Sequence, residues 1–440
     1  MTDLIKKQRL SSGNATENKL RILRPSYLTN VSFMFFLYWA VLVAWQNISR
    51  AEARSSVDVI IKTGLLILFV GFYLFNAKYI YKKILWVILF SISLMITLFS
   101  EPDFPFSILI AYVYPILILT MVYGFGDKYE IDRDQLTAFC NCVIIVLMFA
   151  AVYAAVFNTE HFTSALSFTS AYGNELTSFF LSSHEYGMYL VYGIAACFIC
   201  LRYKERRLSK RILYYIAIVV FLINLVLTFS RTSMLAAVLL FAVCILFLKN
   251  KKLWFYSVLL MITGIIVIIS VPALWNFVYR VLLKENNLAG RGELNALAVD
   301  YFIEGTWFQK LFGHGVYESR TYFENMTTHG SVHNAYLQVL VYYGLIGSLS
   351  LTVFLISQFY ACIREIKKDR FIGVISLGIL VSAAAVMFTN TPIIFTSPID
   401  SYFLTIFAVI VPKYVRNAIN SGRFIKIQET IPYEQSGLKI

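Results

Sequence analysis

The sequence predicts an all-α, polytopic membrane protein of about twelve transmembrane helices with one large helical external loop. Hydrophobic residues make up 59% of the 440, charged residues only 14%, and the mean hydropathy is +0.69. Apolar runs of roughly 16 to 20 residues recur along the chain, each long enough to cross a hydrocarbon core of about 30 Å. Basic residues cluster in alternate connections, as expected of a multi-pass protein whose Lys and Arg stay on the cytoplasmic side.

Residues 1–26 form a polar arm rich in Ser, Asn, Lys and Thr, expected to be cytoplasmic. Nine spans are expected within 27–271: 28–45, 57–75, 84–99, 106–123, 138–157, 186–201, 212–229, 233–248 and 253–271. Residues 272–333 form the large external loop. Three more spans follow within 334–412 (334–360, 371–389 and 398–412), then a cytoplasmic tail from 413 to 440. The arm ahead of the first span, and the second span close behind it, are unlike a cleavable signal peptide.

Twelve crossings put both termini on one side. If that side is the cytoplasm, the inner segments hold Lys6, Lys7, Arg9, Lys19, Arg21 and Arg24, then Lys78, Lys82 and Lys83, then Lys128 and Arg133. They continue with RYKERRLSKR (202–211), KNKK (249–252), REIKKDR (364–370) and the tail. Most of the 38 basic residues are thereby inside, so the +13 net charge is a consequence of topology and calls for no nucleic-acid partner. Cys140, Cys142, Cys197, Cys200, Cys244 and Cys362 fall in or at the ends of spans, which supports neither a disulfide frame nor a zinc site. No phosphate loop, paired metal-binding histidines or internal repeat is present in the sequence.

Two outer connections, 158–185 and 272–333, exceed the usual loop length. The second contains Trp275, Phe277, Trp307, Phe308 and Phe312 and is expected to fold as one or two amphipathic helices over the bundle. Basic residues are scarce on this face. Arg231, in TFSRTSML, sits in a turn so short that it lies at the membrane edge. An arginine there is either a site residue or one that snorkels to the headgroups and ends a helix. The loop adds Arg280, Lys284, Arg291, Lys310 and Arg320. Arg291 stands between two glycines ahead of a helical pattern, where backbone and helix terminus favour anions, although a solvated turn arginine fits the same spacing. Two converging arginines would suit a diphosphate, which a guanidinium grips through two oxygens.

His333 heads the run HNAYLQVLVYYGLIG, at the start of the tenth span. There the helix dipole favours a neutral imidazole able to accept a proton. The alternative is that His333 and Asn334 simply cap the helix.

His333 and Asn334, nine further residues, and then Gly344-Leu345-Ile346-Gly347 reproduce the signature His-[Asn/Ser/Gln]-nine residues-Gly-x-x-Gly. In this the chain resembles the bacterial O-antigen ligase and polymerase superfamily. SRT in a short external turn, GRG at the start of the big loop, and LFGHGVYES (311–319) are similar as well. The resemblance is most specific over 225–350. It implies a GT-C-like glycosyltransferase that is metal-independent, needs no cofactor, and works on the outer face of the bacterial inner membrane. The donor would be an oligosaccharide on undecaprenyl diphosphate, reached through membrane lipid. Arg231 and Arg291 would hold the diphosphate, and His333 would orient or deprotonate the acceptor hydroxyl, inverting the anomeric centre. Asn334, Arg320, His314, and His184 with Glu185 in LSSHEYGMY are further substrate-binding candidates, with His329 at the rim. The SSHEYG run reads equally as a capping segment.

Within the superfamily, the favoured expectation is a polymerase of O-antigen, capsule or exopolysaccharide, with a chain-length regulator as a candidate protein partner. The alternative is a ligase acting on lipid A core. The pattern of arginine, ten residues and glycine found in some polymerases is absent at Arg231, Arg280, Arg291 and Arg320. A flippase is the reading from another class, but transporters place their charges near mid-membrane, and here Lys62 comes closest.

Overall fold

A computed structural model describes residues 84–101, 109–119, 133–157, 159–166, 175–180, 182–203, 208–248, 269–270, 275, 291–327 and 332–389. The expected spans 28–45, 57–75 and 398–412, all of 253–271 except 269–270, both terminal segments, Arg280, Lys284 and His329 lie outside the described residues.

Among the described residues the fold is all-helical: α1 (Ile84–Ser100), α2 (Leu109–Leu119), α3 (Arg133–Phe157), α4 (Thr159–Leu166), α5 (Ser183–Tyr203), α6 (Leu208–Leu227), α7 (Arg231–Leu248), α8 (Arg291–Glu304), α9 (Trp307–Phe312), α10 (Val316–Met326), α11 (Ala335–Ile366) and α12 (Arg370–Val386). Five of these, α3, α5, α6, α7 and α11, are long and apolar enough to cross a membrane. Their outward faces confirm the solvent they are built for. Ile145, Phe149, Val152 and Val156 of α3, and Ile212, Leu213, Ile216, Val219 and Ile223 of α6, are all exposed. Such stripes would aggregate in water but are ordinary against lipid.

The helices run up and down. Tyr203 at the end of α5 donates to Asp369 Oδ2 just before α12 (2.7 Å), and Arg370 Nε donates to Phe247 O at the end of α7 (2.8 Å). One end of the bundle, the basic end, therefore gathers 202–203, 247–248 and 364–370. The other, the loop end, gathers the starts of α5, α7 and α11 together with α8 to α10. α5 is the axis of the bundle: 83% of its spanning window is buried, against 28% for α6. Small residues let its neighbours close in. A methyl group on Gly187 would collide with Ser233 of α7, and one on Gly193 with Leu147 of α3 and Phe221 of α6.

One expectation is corrected. The big loop contains three described helices, α8 to α10, where one or two were expected, because Gly305 and the Gly313-His314-Gly315 run break the amphipathic pattern. The tenth span is present as α11, and it is bent. A helix of 32 residues would be about 48 Å long, far more than the bilayer needs, and α11 breaks at Gly344 (φ 65°, ψ −163°).

At this break the loop locks onto the bundle. The backbone N–H groups of His314 and Gly315 donate to the carbonyls of Val341 and Tyr342 (2.9 and 3.2 Å). A Cβ on Gly313 would strike the Tyr342 carbonyl, and one on Gly344 would strike the backbone of Leu311 and Gly313. Gly313 (φ 91°) and Gly344 (φ 65°) thus meet backbone to backbone in conformations that suit glycine. Gly347 leaves room for the displaced Tyr343 side chain.

A second clamp joins the loop to α1 and α2. Glu101 accepts from the Tyr112 hydroxyl and, at 3.2 Å, from the Tyr317 amide in the first turn of α10. Tyr112 in turn accepts from the Val316 amide (3.0 Å), and Thr97 donates to Phe312 O (2.7 Å). Burial raises the Glu101 carboxyl above its ordinary value, against the opposing pull of the Tyr112 hydroxyl and the Tyr317 and Val316 amides.

Candidate active site at the loop end

Arg231 and Arg291 are each the first residue of a helix, α7 and α8 respectively. His333 lies two residues before α11, with Asn334 as N-cap. Helix starts present unpaired N–H groups and partial positive charge, so all three candidates stand where anions are favoured.

Asn334 Oδ1 accepts from the Tyr336 and Leu337 amides (3.1 and 3.3 Å), so its carbonyl oxygen is committed to the cap. His333 is half-buried and left-handed (φ 53°). Among the described residues only Ser178, Phe229 and His333 are non-glycine residues with positive φ. Phe229 (φ 51°) bends the chain just ahead of Arg231. Two of the three strained residues therefore shape the approaches to expected site residues. Such outliers cost on the order of 1–3 kcal/mol each and persist where the surroundings over-determine them.

α12 connects the start of α7 with the start of α11. It packs antiparallel on α7, with Arg370 on Phe247, Gly378 against Leu240, and Ser382 Oγ donating to Ala236 O (2.6 Å). Continued to the helix end, that register sets Met387 beside Arg231. The Met387 carbonyl accepts from the Ala335 amide (2.8 Å), and the Tyr336 hydroxyl donates to Ala384 O (2.9 Å). The start of α11, with His333 and Asn334, is thus tied to the end of α12 that abuts the start of α7. α8, which Arg291 begins, packs on α11.

A hydroxyl network fixes the Arg231 turn. Ser230 Oγ accepts from the Ser233 amide (3.3 Å) as the cap of α7 and contacts Ser233 Oγ (2.8 Å) and Thr232 Oγ1 (3.2 Å). His184 Nδ1 lies 2.7 Å from Ser230 Oγ and 3.3 Å from Thr232 Oγ1. The SSHEYG run is at the same time a helix start, since Ser182 Oγ accepts from the Glu185 amide (3.1 Å) and Ser183 Oγ donates to Glu175 (2.5 Å).

His314 is set apart from this cluster. It is buried in the loop, stacked on Tyr301 with ring centroids 4.0 Å apart, and Tyr301 stacks on Tyr322 at 3.9 Å. Its Nδ1 is 3.7 Å from Glu318 Oε1. Burial lowers its pKa below the ordinary 6.5, with Glu318 pulling the other way. Its backbone amide also holds the Val341 carbonyl of α11. Arg320 is exposed on α10 and lies within electrostatic reach of the Tyr342 hydroxyl.

The sequence did not reveal Glu101, Tyr112, the Met387 carbonyl or the Ser230–Ser233 pair as parts of this arrangement. No group of three or more His, Cys, Asp or Glu that could hold a metal occurs among the described residues.

A multi-pass helical membrane protein with arginine-headed helices and a histidine at one end of its bundle is the class that fold and site define. Residues 216–352 match the family described as O-antigen ligase, and the match supports the O-antigen ligase and polymerase superfamily. The matched segment runs from α6 into α11 and includes Arg231, Arg291, His314, Arg320, His333, Asn334, Gly344 and Gly347, while His184 and Glu185 lie outside it. No curated protein matches the chain.

Proposed function

We propose that this protein is a polysaccharide polymerase. It transfers a glycan from undecaprenyl diphosphate to a hydroxyl of another lipid-linked repeat unit at the outer face of the bacterial inner membrane. The loop end then faces outward and the basic end inward, in keeping with the retention of Lys and Arg in the cytoplasm. The observation that carries the reading is the tie between the start of α11 and the end of α12, which holds His333 at the end of the bundle where Arg231 begins α7.

The acceptor oxygen attacks the anomeric carbon from the face opposite the diphosphate, and its proton passes to the His333 imidazole. The bond from the anomeric carbon to the diphosphate oxygen breaks, and its electron pair leaves with the diphosphate. Arg231 and Arg291 stabilise the charge that develops there. Attack from the opposite face inverts the anomeric centre without a covalent glycosyl-enzyme, and a carboxylate pair is not required. The domain match supports the transfer chemistry and is shared by ligases and polymerases. The preference for a polymerase rests on the aromatic-rich, idiosyncratic sequence of the chain, which holds 37 Phe and 29 Tyr in all.

Reconstitution with an undecaprenyl-diphosphate-linked repeat unit, with and without lipid A core, tests the reading. Ladders from the repeat unit alone are expected. Product formed only with lipid A core would make the protein a ligase. Movement of the lipid across the bilayer without any new glycosidic bond would make it a flippase.

A further inference from the structure

We propose that His184 is a positioning residue for Arg231, acting through an Nδ1–H donated to Ser230 Oγ; this rests on the transferase reading above. His184 lies outside the matched family segment, and the inference stands on the hydrogen-bond network alone.

One assignment of protons satisfies these contacts together, and we adopt it. Ser233 Oγ is 3.1 Å from the His184 carbonyl, which can only accept, so the Ser233 hydroxyl proton points there. The 2.8 Å contact between Ser230 and Ser233 hydroxyls then needs its proton from Ser230. With that proton spent, Ser230 Oγ is an acceptor both to the Ser233 amide and to its 2.7 Å neighbour, His184 Nδ1. This arrangement puts the hydrogen on Nδ1, with Thr232 Oγ1 as a weaker second acceptor at 3.3 Å. The neutral ring is the Nδ1–H tautomer.

The consequence is geometric. Ser230 and Thr232 flank Arg231, and both are tied to the one imidazole. The backbone of His184 holds Ser233, and Gly187 lets α5 approach Ser233 closely enough to do so. The left-handed Phe229 means that the turn leading into α7 is not a default conformation, so its shape depends on these contacts. Losing the imidazole donor leaves Arg231 present but free to sample other directions, and a small misplacement at a leaving group is costly.

The test compares His184→Ala, His184→Gln, His184→Asn, Ser230→Ala and the His184→Ala/Ser230→Ala pair in full-length protein reconstituted with the undecaprenyl-diphosphate-linked repeat unit. The side-chain nitrogen of Asn stands where Nδ1 stands, one bond from Cγ, whereas that of Gln is displaced by one carbon. Ala, Gln and Ser230→Ala are expected to lower kcat by about tenfold to a hundredfold, the worth of one buried hydrogen bond in a network, with a smaller change in KM. Asn should recover most of the loss, and the double variant should be no worse than either single one. Equal activity of Asn and Gln, or wild-type activity of Ser230→Ala or His184→Ala, would overturn the proposal. If His184→Ala does not fold, the Asn and Gln pair and Ser230→Ala still decide it. A wild-type protein that forms no glycosidic bond with any acceptor would instead defeat the transferase reading.

Discussion

The amide of Ala335 donates to the carbonyl of Met387 at 2.8 Å, and through this bond the start of α11 is joined to the end of α12. Because α12 lies antiparallel along α7, the same bond ties the start of α11 to the end of the bundle where α7 begins. The proposed base and the proposed anion-binding group thus stand at the starts of two helices that a third helix, carrying neither, connects. His333→Ala and Arg231→Ala should each reduce product formation by about a hundredfold or more, the usual worth of a positioned base or of one charge-stabilising donor. Arg231→Lys should recover only part, since an ammonium lacks the fork that binds two phosphate oxygens. Initial rates at saturating donor would show it. A His333→Ala protein with wild-type rates would remove the base from the scheme.

The contact of Gly313 with Gly344 predicts the behaviour of the motif glycines. Both have positive φ, and a Cβ at either meets backbone rather than a movable side chain. Gly313→Ala and Gly344→Ala should each cost on the order of 1–3 kcal/mol and release the loop from α11. Limited proteolysis within 291–327 should accelerate in both. Gly305→Ala meets the tip of the His314 side chain instead and should be milder. Equal protease sensitivity of all three would contradict the interlock.

Much of this was legible in the sequence as separate parts. Hydropathy placed α1, α3, α5, α6, α7 and α12 within a few residues, since each is a long apolar run bounded by charge or a polar turn. Both glycine runs, 313–315 and 344–347, stood out as patterns. Their contact did not, because it depends on two breaks in regular structure some thirty positions apart, and neither break is periodic. The continuation of α11 to Ile366 was missed because Arg364 and Glu365 read as the end of a span, while in the bundle Glu365 is buried. Glu101 escaped notice because an acid in a short connection, with Asp103 two residues on, looks solvated until α10 is seen to begin on it.

That acid carries its own prediction. Glu101 caps α10 and receives the Tyr112 hydroxyl, so two elements distant in sequence share one buried carboxyl. Glu101→Ala leaves the Tyr112 hydroxyl and the Tyr317 amide short of an acceptor and should destabilise the protein by about 1–3 kcal/mol. Glu101→Gln keeps one carbonyl acceptor and should lose less. Thermal unfolding in detergent micelles gives the order wild type, Gln, Ala. An Ala variant as stable as wild type would mean that α10 is held by its apolar face alone.

Asn334 predicts a separable effect. Its oxygen satisfies two of the free amides at the start of α11, so Asn334→Ala should cost about 1 kcal/mol of stability, while Asn334→Asp or Asn334→Ser keeps an acceptor there. If Asn334 acts only as a cap, activity should follow stability across the three. An Asp variant that is stable but inactive would show that the amide nitrogen touches substrate.

The pH dependence of loop docking follows from His314. Burial lowers its pKa below 6.5, so between 6.5 and the lowered value the unfolded chain binds the proton more readily than the folded one. The stability that burial of the neutral ring allows is therefore complete above pH 6.5 and is lost as the pH falls through that window. The ring stacks on Tyr301, and its own amide holds Val341, so protonation should loosen α9 and α10 before the bundle opens. Hydrogen exchange at 313–317 should quicken as the pH falls below 6.5, after correction for the intrinsic rate. A His314→Phe variant keeps an aromatic partner for Tyr301 without a titrating group, and its exchange should stay flat over the same range. Parallel curves for the variant and wild type would assign the effect to another group, Glu318 being the nearest.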